Sequence, residues 1–356
     1  MTDKVTIRAD GREFSGWTES RVEMDVRAIA WSFNVTMTLP IPEVHGPMLQ
    51  KGQLFELLIG STLVMTGRID EIATSYDESN ISFDVAGRSL TGQLVDSAAI
   101  HPGSQFTDMS LPDIARALCK PFDIDVVVNI DTAGFGVLRP EELDILAPFA
   151  SVRIEQGESV FELLERLARQ RGVLLTTNAK GALVMTRTGS ELISPALRQG
   201  VNIKRCRAID SMAPRASRYI IKGSAAGLNF SAGDSVGQAV EVVDPDITLY
   251  RPRIVICEAV LSHENAKQRG QWQRCRDLGS SNQAEYTLTG WSHDNGLYRP
   301  NTLATVDDPL ANISGQHLIV AVTLSEGDDG RLTTLTVQPP EALVITKTLA
   351  KNTLTL

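Results

Sequence analysis

Apolar side chains fall on every second position through the first hundred residues, the period at which a pleated strand turns one row of side chains inward. Val5, Ile7 and Ala9 alternate with Thr6 and Arg8, then meet Asp10-Gly11, a pair that tolerates the positive φ of a two-residue hairpin turn. Phe14 and Trp17 follow on the returning segment. Val22, Met24 and Val26 alternate with Glu23, Asp25 and Arg27, and Trp31, Phe33, Val35, Met37 and Leu39 repeat the rule until Pro40 and Pro42 end the run. Past a connection containing Pro and Gly, Leu54 to Ile59, Leu63 to Ile69, and Ile81, Phe83 and Val85 predict further strands. Gly60-Ser61 and the acidic turn Asp77 to Asn80 separate them. The pattern predicts a small barrel or sandwich over residues 1–98.

From about residue 89 the period lengthens. Leu111, Ile114, Ala115 and Leu118 lie at helical spacing behind Ser110, an N-cap, with Pro112 in the first turn and Pro121 closing the helix. A second helix starts near Ser159, places Phe161, Leu164 and Leu167 on one face, and meets Gly172 where a C-cap glycine belongs. Val173 to Thr177 and Ala182 to Thr186, joined by Asn178-Ala179-Lys180-Gly181, read as a hairpin. Residues 99–200 are therefore expected to form an α+β insertion. Strands return with Tyr219-Ile220-Ile221 and Ile254-Val255-Ile256. Between them Gly223 to Gln238 is rich in Gly, Ser and Ala and reads as a loop or flexible arm. A polar helix is expected over 262–278, its apolar positions (Ala266, Trp272, Cys275, Leu278) sparse enough to place it on a surface or against a partner.

One internal repeat organises these elements. In the first half a strand at Gly52 to Leu57, a second at Leu63 to Ile69, an acidic turn at Asp77-Glu78 and a returning strand at Ile81 to Val85 follow one another. In the second half Asn301 to Val306, Leu318 to Leu324, the turn Gly327 to Gly330 and Leu332 to Val337 follow in the same order. Residue identity is low, but the kind and order of elements match. The expected fold class is mainly β with an α+β insertion: two related β-barrels flanking or enclosing a small α+β domain. The first barrel would span 1–98 and be completed by about 201–225, the second would span 226–340, and 341–356 would form a C-terminal tail. That tail, with Lys347 and Lys351, reads as a disordered end or a strand that orders on a partner.

Composition narrows the function classes. At 356 residues and 42% hydrophobic content, the chain can bury more than one core. Its longest apolar runs, Val126 to Val128 and Leu318 to Val322, fall far short of the ~20 residues a membrane helix needs, so no stable membrane association is expected. No secretory signal opens the sequence, so synthesis in a cytoplasm is expected. The formal charge of -9 argues against a protein built to grip nucleic acid, which needs clustered Lys and Arg. Cys119, Cys206, Cys257 and Cys275 are widely spaced with no C-x-x-C pair, so neither a disulfide framework nor zinc is expected, and buried free thiols are the simplest reading.

The search for chemistry returns no catalytic, cofactor or metal residue. Gly223-Ser224-Ala225-Ala226-Gly227 carries its Ser in the wrong place for a nucleophile elbow. His263-Glu264 lacks the second His that a zinc helix requires, and His263 reads as an exposed residue near a helix start. The histidines at 45, 101, 263, 293 and 317 are scattered. No P-loop and no G-x-G-x-x-G occurs. The acidic pairs Asp70/Glu71, Asp307/Asp308 and Asp328/Asp329 could in principle serve glycoside hydrolysis, yet strand neighbours point to opposite faces and turn carboxylates are solvated. The chain is not expected to be an enzyme and needs no cofactor.

The opening stretch Val5-Thr6-Ile7-Arg8-Ala9-Asp10-Gly11-Arg12-Glu13-Phe14-Ser15-Gly16-Trp17 resembles the first hairpin of the Mu-like baseplate hub family of contractile tails. So do Met65 to Asp70, Val85 to Arg88, Ile114 to Cys119, Arg171 to Leu174 and Tyr250-Arg251-Pro252, in the same order over nearly the whole chain. The resemblance implies two barrels of tail-tube type in each subunit of a homotrimer, a pseudo-sixfold ring joining the tail tube to a central spike protein. It also implies contacts with other baseplate proteins and a channel through which tape measure protein and DNA pass without specific binding, its wall acidic enough to repel phosphate. A hub that binds or degrades peptidoglycan is the alternative, with residues 100–200 as the glycan-binding module.

Overall fold

Asp10 and Gly11 both take positive φ, 48° and 72°, and close β1 (Val5–Ala9) onto β2 (Arg12–Phe14) as a tight antiparallel hairpin. The computed structural model in which this turn is seen describes residues 4–40, 49–130, 145–223, 240–257 and 263–343. It is 50% strand and 18% helix, a mainly β chain. The first half continues with β3 (Glu19–Asp25), β4 (Ser32–Pro40), β5 (Leu54–Ile59), β6 (Thr62–Tyr76) and β7 (Asn80–Ser89). β3 alternates exposed and buried positions from Glu19 to Met24, as its sequence predicts. These strands pair in the order β3-β4-β7-β6-β5-β1-β2. β6 runs to Tyr76, well past its expected end at Ile69.

The insertion follows as α1 (Gly92–Asp96), β8 (Gln105–Met109), α2 (Leu111–Cys119), β9 (Val126–Asn129), β10 (Phe149–Arg153), α3 (Val160–Arg171), β11 (Leu174–Thr177) and β12 (Leu183–Thr186). Both main helices start where their caps predict. The Ser110 hydroxyl accepts from the Asp113 N–H, and Ser159 with Glu162 forms a reciprocal capping box. Gly172 ends α3 with φ 59°. Leu111, Ile114 and Leu118 of α2 share an apolar cluster with Leu163, Leu164 and Leu167 of α3; Phe161 is only partly buried, and Leu163 takes the place expected for it. β11 and β12 form the expected hairpin, and β12 pairs in parallel with β9.

The second half is interrupted. After β13 (Leu197–Arg198) and β14 (Arg205–Asp210) come β15 (Arg218–Gly223), β16 (Val240–Val243), β17 (Pro252–Cys257) and α4 (His263–Ser281). Then follow β18 (Asn282–Thr289), the short hairpin β19 (Ser292–His293) and β20 (Gly296–Leu297), β21 (Thr302–Asp308), β22 (Ile313–Gly327) and β23 (Gly330–Gln338). Residues 201–225 do not complete the first barrel. β14 pairs with β18, and β15 forms a separate sheet in the order β16-β15-β17. The second half thus begins before residue 226, and the chain between β14 and β18 builds a small unit of its own. Tyr219, Ile221, Val240 and Val255 of that sheet cluster with Ala266 of α4.

The polar helix α4 extends to Ser281 and lies against this sheet, α3 and the turn at Pro340–Leu343. Asp244, whose side chain is fully buried, is held by Arg215 at 2.8 Å and faces Arg274 at 3.8 Å, so the charge is paired rather than stranded. Residues 341–343, expected at the head of the tail, are packed: Ala342 and Leu343 join a cluster with Leu318 and Val320. The loop expected at Gly223 to Gln238 and the tail from 344 onward lie outside the described residues.

Gly67 lies on β6 beside β7, and a Cβ there would stand 1.9 Å from the Arg88 carbonyl oxygen. Gly67→Ala should therefore destabilise the chain by about 1–3 kcal/mol, the usual cost of overpacking. A urea unfolding curve would show the loss as a lower midpoint.

Candidate assembly interface

The two halves are built on one plan. In the first, β3-β4-β7-β6-β5 are neighbours in that order; in the second, β14-β18-β23-β22, with β21 also on β22, repeat it strand for strand. β6 and β22 have the same length, and each carries one extra residue against its returning partner. The register shifts between Ile69 and Glu71 in β6 and between Ile319 and Ala321 in β22, which puts bulges at Asp70 and Val320. Two bulges at matching places in matching strands tie the halves together as a structural repeat.

The halves also share one sheet. β22 pairs with β23 along one edge, while its other edge is divided: 313–319 meets β21, and 321–326 meets β3 of the first half. Val322 lies opposite Met24 and Leu324 opposite Val22, and the Val26 N–H donates to the Val320 carbonyl at 2.9 Å. The result is a single sheet of thirteen strands. Beneath it one apolar cluster runs from Val22, Val35 and Val85 to Tyr286, Val322 and Leu335.

The residues with chemical potential do not converge. Asp70 is bound by Arg88 at 2.6 Å, and Arg88 also holds Asp96 of α1, which raises its guanidinium pKa. Asp308 is buried and accepts the Ala311 N–H, while Asp328 and Asp329 occupy the turn before β23. His101 stacks on Phe106, and His293 lies 5.1 Å from Tyr298. His263 opens α4, and His45 and Ser224 lie outside the described residues. Among the described residues no group of three or more His, Cys, Asp or Glu could hold a metal, and no helix is long and apolar enough to cross a membrane.

The cysteines divide. Cys119 and Cys275 are buried, and burial pushes their thiols up to about 12 and about 11. Cys206 departs from the expectation of buried thiols, because it lies on β14 at the end of the sheet and is exposed.

The baseplate hub protein gp44 of Escherichia phage Mu is 32% identical over 353 residues, covering 97% of this chain and 90% of gp44. The chain belongs to the gp44-like baseplate hub family. Its segments match three family descriptions in turn. Residues 4–89 match the N-terminal part of Mu phage baseplate assembly protein GpP-like proteins, 91–187 the second domain of gp44-like hub proteins, and 262–346 the fourth domain of GpP. A 43 kDa tail protein of prophage MuSo2 from Shewanella oneidensis has the same fold at TM-score 0.82, 36% identical, with 96% of this chain and 99% of that one covered. A tail protein from Neisseria meningitidis MC58 shares the fold at TM-score 0.79 and 21% identity over 96% and 99% of the two chains.

Two outcomes follow for the shared sheet of this hub-family chain. Leu324→Ala removes a fully buried side chain at the seam and should cost about 2–5 kcal/mol. Because the core crosses the seam, tryptophan fluorescence and circular dichroism should report the same lowered midpoint. The second concerns His317, whose partly buried ring has its pKa lowered from 6.5 by desolvation. The fold accepts the neutral ring, so its contribution is complete above the ordinary value and is lost as pH falls below it. Between pH 7 and pH 5 the wild type should lose more thermal stability than His317→Gln, as read by melting curves at both pH values.

Proposed function

We propose that this chain is the baseplate hub of a contractile phage or phage-like tail, acting through subunit number and surface matching rather than turnover. Three copies would form a ring of six related strand units. Such a ring can meet a six-subunit tail tube on one face and a threefold spike on the other, so symmetry adaptation is its mechanism. The observation that carries this reading is the repeat: β3-β4-β7-β6-β5 and β14-β18-β23-β22-β21 give each subunit two equivalent units. Membership of the gp44-like family supports it independently.

On this reading the partners are a second and third copy of the chain, the central spike protein, the tail tube protein and neighbouring baseplate proteins. Tape measure protein and DNA pass through the ring, whose acidic balance of -9 disfavours phosphate capture. The protein then resides in the tail baseplate of the particle. The alternative, a hub that binds or cuts peptidoglycan, gains no specific support from the scattered acidic and histidine side chains.

Light scattering on the full chain, alone and with its cognate spike protein, tests the proposal. The expected mass is three times the 38.7 kDa subunit in at least one condition, plus the spike where present. A monomer in both conditions would defeat it.

A further inference from the structure

The sheet of the insertion turns two different faces to its surroundings. Its register sets Thr176 beside Val184 and Val184 beside Val127 in one row, and Thr186 beside Asn129 in the next. Leu175, Leu183 and Met185 of the same strands enter the apolar cluster with α2 and α3, so alternation sends Thr176, Val184 and Val127 the other way. There they meet the end of β3, the start of β6 and the chain between β20 and β21. These walls bound a cavity of ≈ 330 Å³. That is at the lower end of the range of small-molecule sites, about 300–1,000 Å³, which favour such meeting places of separate units.

The floor is apolar. Met24 and Val26 come from β3, Leu63 and Val64 from β6, and Val127 and Val184 from the insertion. Trp31 stands beside them, its indole N–H donating to the Asp25 carbonyl at 3.3 Å and its backbone N–H to the Ser89 hydroxyl at 3.1 Å. The ring is thereby held in place with no donor left over, and what it can offer a ligand is its face. The hydroxyls of Thr176, Thr177, Thr186 and Thr302 all donate to backbone carbonyls, so they too are committed to the fold.

Three lining side chains are not. Asn129, Glu191 and Arg299 are exposed, and none makes a side-chain hydrogen bond or ion pair among the described residues. Their backbones are nevertheless fixed. The Leu303 N–H donates to the Glu191 carbonyl at 2.7 Å, the Thr302 hydroxyl donates to the Arg299 carbonyl at 2.8 Å, and Asn129 is in register with Thr186. A carboxylate, a guanidinium and an amide therefore border one apolar recess from anchored positions, without pairing with one another.

We propose that this cavity is a binding site for a short saccharide containing an N-acetylated amino sugar. The face of Trp31 and the floor beside it match the C–H face of a pyranose ring, which is apolar while its edge is polar. Carboxylate, guanidinium and amide groups are planar and can each engage two neighbouring oxygens, the arrangement that vicinal hydroxyls present. The acetyl group follows from the floor. An unsubstituted sugar would lay hydroxyls against Val26, Leu63 and Val64 without partners, whereas an acetamido methyl covers that surface. A wholly apolar ligand would desolvate Glu191 and Arg299 and leave them unpaired. The two charges could instead hold the ends of a dipeptide, but a dipeptide of small residues has no ring to place on Trp31. Every wall comes from one chain, so the site does not depend on subunit number.

Isothermal titration calorimetry on the full chain, with N,N′-diacetylchitobiose, cellobiose and diglycine as probes, tests the assignment. Diacetylchitobiose should bind saturably with a Kd of about 1 mM or tighter, cellobiose about tenfold more weakly, and diglycine not at all. Asn129→Ala, Glu191→Ala and Arg299→Ala remove side chains that hold nothing in the fold. Each should weaken binding about fivefold to tenfold at an unchanged melting temperature. Val127→Trp, at a strand position 39% exposed, should fill the recess and abolish binding.

Absence of saturable binding by diacetylchitobiose overturns the proposal and leaves the hub reading standing. Binding that all four variants leave unchanged also overturns it, because the sugar would then sit elsewhere. Equal affinity for cellobiose removes the role given to the acetyl group, and preferential binding of diglycine removes the saccharide. Should Val127→Trp fail to fold, the three rim variants decide alone.

Discussion

The pairing of β3 with β22 is the interaction on which the rest of the molecule depends. Without it the chain would be two half-sheets, each with a long open edge and an apolar face too small to cover. With it, Val22 and Met24 from one half meet Leu324 and Val322 from the other, and a single cluster runs beneath both. The strand that makes this possible is long enough to serve two neighbours on one edge, β21 with its first part and β3 with its second. Length in β22 is therefore a topological requirement rather than an accident of loop placement.

The bulges fix where that division falls and also serve as attachment points. An extra residue reverses the facing of a strand locally, so Asp70 and Val320 leave the side-chain alternation around them. At Asp70 the carboxylate meets Arg88, which also holds Asp96 of α1, so the first bulge ties the sheet to the insertion. These partners are partly exposed, and such ion pairs add little to stability; their effect is on orientation. At Val320 the side chain enters a second cluster with Leu318, Ala342 and Leu343, which secures the turn after β23. One backbone device thus receives a polar attachment in one half and an apolar one in the other.

This also explains what could be read in advance from the sequence. Val22-Met24-Val26 and Phe33-Val35 alternate without interruption, and Asp10-Gly11, Ser110, Ser159 and Gly172 are local signals answered within a few residues, so these elements were legible. The repeat was legible because its strands and turns recur in order. The true end of β6 was not: the bulge at Asp70 brings Ile72 onto the face of Ile69 at a spacing of three, which a period of two does not anticipate, and the rest of 70–76 is exposed. The partner of β14 was equally hidden, since Arg205 to Asp210 is exposed along most of its length and pairs with a strand that begins at Asn282. No local pattern encodes pairing over that separation. The same holds for Cys206, which the general tendency of free cysteines placed in a core and which topology places on an edge.

β14 and residues 71–76 of β6, two of the segments that sequence periodicity missed, each have one edge with no partner strand among the described residues. A strand that must bury one face within its own chain shows alternation, because one row of side chains has to be apolar. A strand at the edge of its sheet is under a weaker version of that demand, because one side of it meets solvent rather than a second strand whose side chains must pack against its own. Arg205, Arg207 and Asp210 place charge along the exposed edge of β14, a common guard against strand addition. Weak patterning in β14 and in 71–76, beside strong patterning in β3 and β22, thus accompanies edges that have no partner strand among the described residues, where β3 and β22 are joined.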